Sequence, residues 1–421
     1  MYPVGSTGVP GPMPIQSLNQ FDDLVLDPSQ SREFLQSLSA EYRGLYVHVP
    51  FCFHKCHYCD FYSLVETGRE SGRMDAYLRA VTEELHALSD LAAGPLETVF
   101  IGGGTPTYLG AELLDSLLTV IRERFELADD FEWTIEANPE TLGHQVIEVL
   151  AASGVNRVSI GGQSFQPHLL EALQRQHDPR TVHECVRKLK DAGLDRLNID
   201  LIFAIPGQSI GDLHADMEQL LQLDPGHLSI YGLTYEEGTP LHHRLRRGEI
   251  NRLDDRLEAE MYELVLDTMA DAGYRQYEIS NFSTEGGMCR HNLLYWHAAD
   301  VLAAGPGAAG HAGGVRWVNQ PSLGRYVSRE FESPHAPISQ VEQLDEDGRF
   351  GERLMLQLRL NEGIRMEVLE SEPMYHSRRR AVIRRHVDGG LLQIDDGVVR
   401  LSRRGLLMAD TVTVDLLQEP A

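Results

Sequence analysis

Cysteine is scarce in this chain of 421 residues: there are five, and they are unevenly placed. Cys52, Cys56 and Cys59 crowd together while Cys185 and Cys289 stand alone, which excludes the dense, evenly spread cysteine framework of a disulfide-stapled secreted domain. A reducing compartment is expected. Positive charge is also in deficit. With 37 lysines and arginines against 63 acidic residues, the formal net charge is -26. The surface as a whole therefore repels nucleic-acid phosphates and anionic membranes, and any anionic ligand must be held by local groups. Long apolar runs are missing too. The stretch VLAAGPGAAGHAGGV from Val301 is broken by glycines, a proline and a histidine, so it cannot span a membrane and reads as loops. Residues 1–20 lack the basic and apolar regions of a signal peptide and the arginines of a mitochondrial presequence. The expected location is the cytoplasm.

What is present is enough apolar residue, 42%, for one large core and a smaller one. Residues 1–43, rich in Gly, Pro, Ser and Gln at the start, read as a flexible N-terminal extension. From Gly44 onward short apolar runs alternate with amphipathic stretches. The expected strands are 45–49, 98–101, 133–137, 157–161, 196–203 and 227–233. Between them, Tyr77, Val81, Leu85 and Leu88, then Leu113, Leu117, Ile121 and Phe125, mark one face of each of two helices. The alternation predicts an α/β fold with a parallel sheet wrapped by helices, either doubly wound or curled toward a barrel, with strands apolar on both faces. In either arrangement functional residues collect at the C-terminal strand ends. A helix from about Leu253 ending at Gly273 closes this domain, 44–285. Residues 286–345 read as a motif segment and a glycine-rich linker. Residues 346–421 predict a helix over 354–360, a basic helix and a hairpin around Asp395, Asp396 and Gly397, the outline of a mainly helical, winged-helix-like domain. Eight arginines between Arg378 and Arg404 face three aspartates there; a packed domain with a basic solvated face is favoured over nucleic-acid binding, given the acidic whole.

The segment FCFHKCHYCDF, 51–61, carries the chemistry. Three thiolates on a loop directly after a strand can hold a soft metal or an iron–sulfur cluster. A closed zinc site takes four protein ligands, commonly as paired Cys-x2-Cys units, and no second unit is present. A four-iron cluster bound by only three cysteines leaves one iron open to a small molecule.

The Cys-x3-Cys-x2-Cys spacing with an aromatic, Tyr58, before the last cysteine resembles the radical S-adenosylmethionine (SAM) enzymes. That resemblance implies a partial (β/α)6 barrel, a [4Fe-4S] cluster on Cys52, Cys56 and Cys59, and SAM chelating the open iron, where an electron cleaves it to a 5'-deoxyadenosyl radical. IGGGTPT, 101–107, follows the second strand and supports the match through Gly103, Gly104 and Thr105, where backbone can approach the methionine end of SAM. Glu136, Gln163, Arg175 and Asp200 fall at or just beyond the next strand ends. With Tyr46 in LYVHVPFC, Tyr58 and Thr234, they match the SAM-site positions of the coproporphyrinogen III dehydrogenase-like branch, over most of the chain.

Within that branch two readings stand. The oxygen-independent oxidative decarboxylase of coproporphyrinogen III carries a further cysteine two positions after the third, where this chain has Asp60 and then Phe61, and an N-terminal substrate-binding segment that this chain does not resemble. The segment CRHNLLYW, 289–296, is similar to the heme signature of HemW-type heme chaperones. The resemblance implies heme as a third cofactor, with His291 as iron ligand and Cys289 as a competing thiolate, and Asn292, Tyr295 and Trp296 nearby. The alternative leaves His291 and Asn292 in hydrogen bonds and Tyr295 and Trp296 packed on the barrel. The resemblance further implies heme transfer to respiratory-chain heme proteins, a ferritin-like heme-storing donor, peripheral membrane contact through the arginine-rich segment, and a homodimer. Another radical SAM enzyme is a third reading; a methyltransferase lacks support, since Cys185 and Cys289 are far apart in sequence.

Overall fold

The structure, a computed structural model, describes residues 26–68, 71–328, 333–375 and 377–417. After helix α1 (Pro28–Ser37) come β1 (Gly44–Val49) and a short parallel pair, β2 (Phe51–Cys52) and β3 (Leu64–Val65). The chain then alternates: α2 (Arg73–Ser89), β4 (Leu96–Gly103), α3 (Gly110–Arg124), β5 (Leu127–Ala137), α4 (His144–Ser153), β6 (Arg157–Gln163). It continues through α5 (Pro167–Ala172), α6 (Pro179–Asp191), β7 (Leu197–Phe203), α7 (Ile210–Gln222) and β8 (His227–Gly232). Helices α8 (Pro240–Arg246) and α9 (Asp255–Asp271) lead to β9 (Arg275–Glu278) and β10 (Asn281–Ser283). Helix α10 (Arg290–Trp296) precedes β11 (Val301–Ala304), β12 (Ala309–Ala312), β13 (Val315–Asn319), α11 (Leu323–Val327) and β14 (Ile338–Gln343).

These strands build one open sheet in the order β14-β13-β12-β11-β1-β4-β5-β6-β7-β8-β10-β9. Strands β1 and β4 to β8 are mutually parallel neighbours in chain order, the partial (β/α)6 barrel that the family resemblance implies, and each expected strand coincides with one of them to within a residue or two, except that β5 begins six residues before the expected 133. The two faces differ, however, from the expectation of strands apolar on both sides. Leu45, Val47, Val99, Ile101, Trp133, Ile135, Val158, Ile160, Ile199 and Leu228 face the helices and form the core. The alternate residues, among them Tyr46, His48, Thr98, Glu132, Glu136, Arg157, Asn198, Asp200 and His227, turn to the lumen. Period-two alternation is the rule for a sheet whose faces meet different surroundings, and here the inner surroundings are polar.

Two further expectations change. The first concerns the glycine-rich run from Val301, read as loops and linker. It supplies β11 and β12, and β11 extends the sheet in parallel beside β1. Glycine here permits close packing: a Cβ on Gly310 would lie 2.1 Å from the Trp317 ring. The second concerns the N-terminal segment. Leu26 bridges to Ile338, and α1 is capped by Asp27 with Gln30 returning the bond, so residues 26–43 are part of the fold; the first part of the proposed flexible extension, 1–25, lies outside the described residues.

The C-terminal region holds α12 (Glu346–Gln357), β15 (Ile364–Arg365), α13 (Met366–Ser371), α14 (Ser377–Asp388), β16 (Leu392–Asp395), β17 (Val398–Leu401), α15 (Arg403–Leu406) and α16 (Ala409–Leu417). The hairpin turns at Asp396 (φ 48°) and Gly397 (φ 74°), two successive left-handed residues as a tight hairpin demands. With β15 it makes the three-stranded wing, β15-β17-β16, over its own core of Phe350, Leu354, Ile383, Val399 and Leu416.

The β11–β13 extension is pinned to the barrel by one carboxylate. Glu84 on α2, 2% exposed, accepts from Gly305 N at 2.8 Å, from Asn319 Nδ2 at 2.9 Å and from the Tyr326 hydroxyl. Glu84→Ala is expected to destabilise the fold by roughly 3 kcal/mol, and Glu84→Gln by less, because the three donors lose a charged acceptor. Chemical denaturation of the variants measures this; a loss under about 1 kcal/mol for the alanine variant would show that the carboxylate does not hold this edge.

Candidate functional site

Cys52 ends β2 and Cys56 and Cys59 follow in the loop that returns to β3. Backbone bonds close the base of this loop, Leu64 N to Pro50 O at 2.6 Å and Glu66 N to Cys52 O at 3.0 Å. Lys55 staples its interior, donating to Phe61 O at 2.6 Å and Ser63 Oγ at 2.7 Å. Its outer turn rests on the neighbouring crossovers through His57 N to Leu173 O and Leu241 N to His57 O. All three thiols are free and half-buried, and burial pushes Cys59 up to about 12. Unligated, it keeps its proton at neutral pH, and a metal must displace it. Among the described residues no three His, Cys, Asp or Glu side chains gather as ligands of a single ion.

A continuous hydrogen-bonded chain joins two of the sulfurs across the sheet. Thr105 Oγ1 donates to Cys52 Sγ at 3.6 Å and accepts from Asn138 Nδ2 at 2.9 Å. Asn138 Oδ1 accepts from Arg175 Nη2 at 2.9 Å, and Arg175 Nη1 donates to Cys56 Sγ at 3.6 Å. Arg175 is anchored by Gly161 O at 2.7 Å. Donors aimed at ligand sulfurs are the usual means by which surroundings tune a thiolate-bound centre. Asn138, central to this chain, was missed in the sequence: it sits one residue past β5, in EANPE, where only strand-end position could have flagged it.

Next to the loop, the glycine turn is explained by what it admits. Gly103 has φ 106°, and a Cβ there would lie 2.4 Å from the His48 ring; one on Gly104 would lie 2.7 Å from Phe51 O. His48 is the second residue missed, although alternation in LYVHV puts it on the face of Tyr46. Its Nε2 is 2.7 Å from Tyr62 O, which can only accept, so Nε2 carries the proton and Nδ1 accepts from the Tyr46 hydroxyl at 3.0 Å. Burial lowers His48 to about 4 and keeps it neutral. Glu136 accepts from Gly103 N at 3.0 Å.

Glu136 and Asp200 face the same lumen. Burial first, then the charge of Asp200, push Glu136 up to about 8. Burial pushes Asp200 up to about 6, against hydrogen bonds from Asn198 and Ser229 and the charges of Arg175 and Arg157. Gln163 ends β6 in the left-handed region, φ 63°, at a register shift against β7. Tyr58 packs on the Leu169, Leu173 and Leu241 cluster, within electrostatic reach of Cys56, Arg175, Cys59 and Asp200. Thr234 lies two residues beyond β8, half-buried, and among the described residues no hydrogen bond ties it to this group.

The Cys289–Trp296 segment is elsewhere. Helix α10 closes the opposite, N-terminal end of the barrel. Glu132, fully buried, accepts from His291 N at 3.2 Å and Cys289 Sγ at 3.5 Å, placing a carboxylate at the start of this short helix. His291 is 1% exposed; its Nδ1 bonds Thr98 Oγ1 at 2.7 Å, its Nε2 meets Tyr295 Oη at 3.3 Å, and its ring stacks on Phe100. Asn292 is buried beside it. Trp296 packs on Leu356 and Leu360 of the C-terminal region, with Arg359 4.7 Å over its ring. In this conformation His291 is hydrogen-bonded, as the packed alternative has it, to Thr98 and Tyr295, whereas Trp296 packs on the C-terminal region rather than on the barrel.

A mouth with three loop thiols, a glycine turn and two desolvated carboxylates, on six parallel strands, defines a radical SAM protein. The Radical SAM superfamily matches residues 46–220 and the HemN C-terminal domain residues 344–408. Heme chaperone HemW of Mycobacterium tuberculosis is 38% identical over 375 residues, 89% of this chain and 94% of that protein. Heme chaperone HemW of Bacillus subtilis is 32% identical over 374 residues, 88% and 98% respectively. The solved coproporphyrinogen III oxidase HemN from Escherichia coli, 21% identical, superposes with TM-score 0.80 over 93% of this chain and 94% of that one, which shows the shared fold. The chain belongs to the HemW family. The radical SAM superfamily implies SAM and a [4Fe-4S] cluster as its cofactors. No helix among the described residues is long and apolar enough to cross a membrane.

The raised carboxylates make stability depend on pH. Their folded values, about 8 for Glu136 and about 6 for Asp200, exceed the unfolded values of 4.5 and 3.8. Their contribution is therefore fully present below about pH 4 and is lost as pH rises through 6 and then 8. Thermal unfolding of the ligand-free protein should show this loss between pH 5 and 8, with the upper part flattened in Glu136→Gln. An identical pH slope in that variant would remove Glu136 as its source.

Proposed function

We propose that this protein is a heme chaperone that holds a SAM-ligated [4Fe-4S] cluster at the C-terminal mouth of its barrel, takes up heme, and passes it to respiratory heme proteins. The observation that carries the reading is the match along 89% of the chain to proteins named heme chaperone HemW. Asp60 and Phe61, following the third cysteine where the decarboxylase places a further one, point the same way.

The residues at the mouth suit these groups. Cys52, Cys56 and Cys59 would hold the cluster, and Thr105 and Arg175 donate to two of the sulfurs. When bound, the cluster and SAM supply one-electron reductive chemistry. Glu136 and Asp200, two carboxylates in one desolvated space, favour a cationic ligand carrying ammonium and sulfonium charge. Arg175 offers its guanidinium to a carboxylate. His48 fixes the Tyr46 hydroxyl so that its lone pairs point away from the imidazole. Gly103 and Gly104 keep the backbone of the turn open, Tyr58 covers the loop, and Gln163 and Thr234 close the rim.

For heme, His291 is the proposed iron ligand, with Cys289 as the alternative and Asn292, Tyr295 and Trp296 around it. Both imidazole nitrogens are engaged, so ligation requires α10 to leave the barrel floor. A ferritin-like donor, peripheral membrane contact and a homodimer belong to the same proposal. Oxidative decarboxylation of coproporphyrinogen III is the second reading, supported by the likeness of fold to HemN.

Anaerobically reconstituted protein should contain about four irons per chain and develop a Soret band with hemin that His291→Ala weakens severalfold. With coproporphyrinogen III, SAM and a reductant it should release no carbon dioxide. An unchanged Soret band transfers the ligand role away from His291, and carbon dioxide release replaces the chaperone reading with the decarboxylase one.

A further inference from the structure

We propose that the C-terminal domain carries a separate, solvent-open docking groove for heme, in which Arg380 and Arg384 take the two propionate carboxylates of the porphyrin. The inference rests on the chaperone reading and goes beyond it by stating where heme first lands.

An open groove of about 950 Å³ runs between the end of α13 and the exposed face of α14, within the range of small-molecule sites. Pro373 contributes apolar wall, and Tyr375, 4% exposed, lies beneath it with the Arg380 guanidinium 5.1 Å over its ring. Arg380 and Arg384 are four residues apart on one helix, hence on the same side. Both are exposed, and neither makes an ion pair among the described residues. Their basic neighbours are already occupied. Arg379 is buried against Asp347, Arg385 pairs with Asp415 at 2.6 Å, and Arg403 reaches Asp267 on α9 at 2.7 Å. Acidic groups at the rim are partly neutralised, Glu372 by Arg353 at 2.5 Å, while Glu370 and Asp388 stand at the two ends.

In a chain of net charge -26, two uncommitted guanidinia in one concavity are a local exception. Guanidinium is well matched to carboxylate, each pair forming two parallel charged hydrogen bonds. The lining selects the occupant. A bilayer surface or a nucleic-acid duplex is met by an extended basic face, whereas here Glu370, Glu372 and Asp388 bound two guanidinia beside a proline, which suits a compact dicarboxylate. The burial of His291 supplies the need: a porphyrin arriving from solvent finds that side chain closed off.

The test uses the full-length, cluster-reconstituted protein, titrated with hemin and with hemin dimethyl ester, whose carboxylates are blocked. Wild type should prefer hemin by about tenfold or more, the worth of a charged bidentate pair. Arg380→Glu/Arg384→Glu should abolish the preference with iron content and circular dichroism unchanged, Arg380→Lys/Arg384→Lys should keep part of it, and His291→Ala should leave it in place. A preference that survives the double glutamate exchange overturns the groove. Loss of binding to phosphatidylglycerol vesicles in that variant, with the hemin preference intact, also overturns it and assigns the arginines to a lipid surface. If wild type binds neither porphyrin, the chaperone reading itself fails, an outcome distinct from wild type binding hemin and the variant matching it.

Discussion

Polar groups buried on the inner face of the parallel sheet must each find a partner, because an unpaired donor or acceptor out of water costs on the order of 1–3 kcal/mol. This constraint organises both ends of the barrel. At the floor the chain supplies the partners: Thr98 meets His291, Glu132 meets the start of α10, and His227 spans from Asn198 to Tyr277. At the mouth it leaves charge poorly compensated. Glu136 and Asp200 crowd one space and are pushed toward protonation, and three thiols remain free. One end of the lumen is thus largely paired within the protein, with Thr134 Oγ1 and Arg157 Nη2 as exceptions, and the other is arranged for ligands.

The architecture was legible in the sequence where burial is one-sided in cause. Each apolar run from LYVHV to HLSIYGL became a strand of the parallel sheet because the helix-facing residues alone suffice to mark it. Less legible was the polar inner set, since His48, Asn198 or His227 in a short run looks like an interruption until the neighbouring strands are in place. The glycine-rich run from Val301 misled for a related reason. Its glycines accommodate Trp317 on the next strand and the backbone of His48, far off in sequence. The cysteine loop and the strand-end residues were found by spacing and position, whereas Asn138, which connects the two halves of that group, has no local pattern of its own.

Charge distribution tells a similar story in the C-terminal region. The eight arginines from Arg378 to Arg404 look in sequence like one basic face. Folding divides them: Arg379 is a buried structural ion pair, Arg403 fastens the domain to α9, and Arg385 braces α16. A run of like charge therefore overstates the field that reaches solvent, and only residues without partners contribute fully to recognition.

Trp296 gives α10 a second attachment, because its ring is held between Leu356, Leu360 and Arg359 while its neighbours four and five residues earlier, Asn292 and His291, belong to the barrel. The seven-residue helix is therefore a hinge pin shared by two bodies. Withdrawing it to uncover the imidazole would slacken the seam between barrel and wing at the same moment, so access to the interior and the relative posture of the two halves are mechanically one variable.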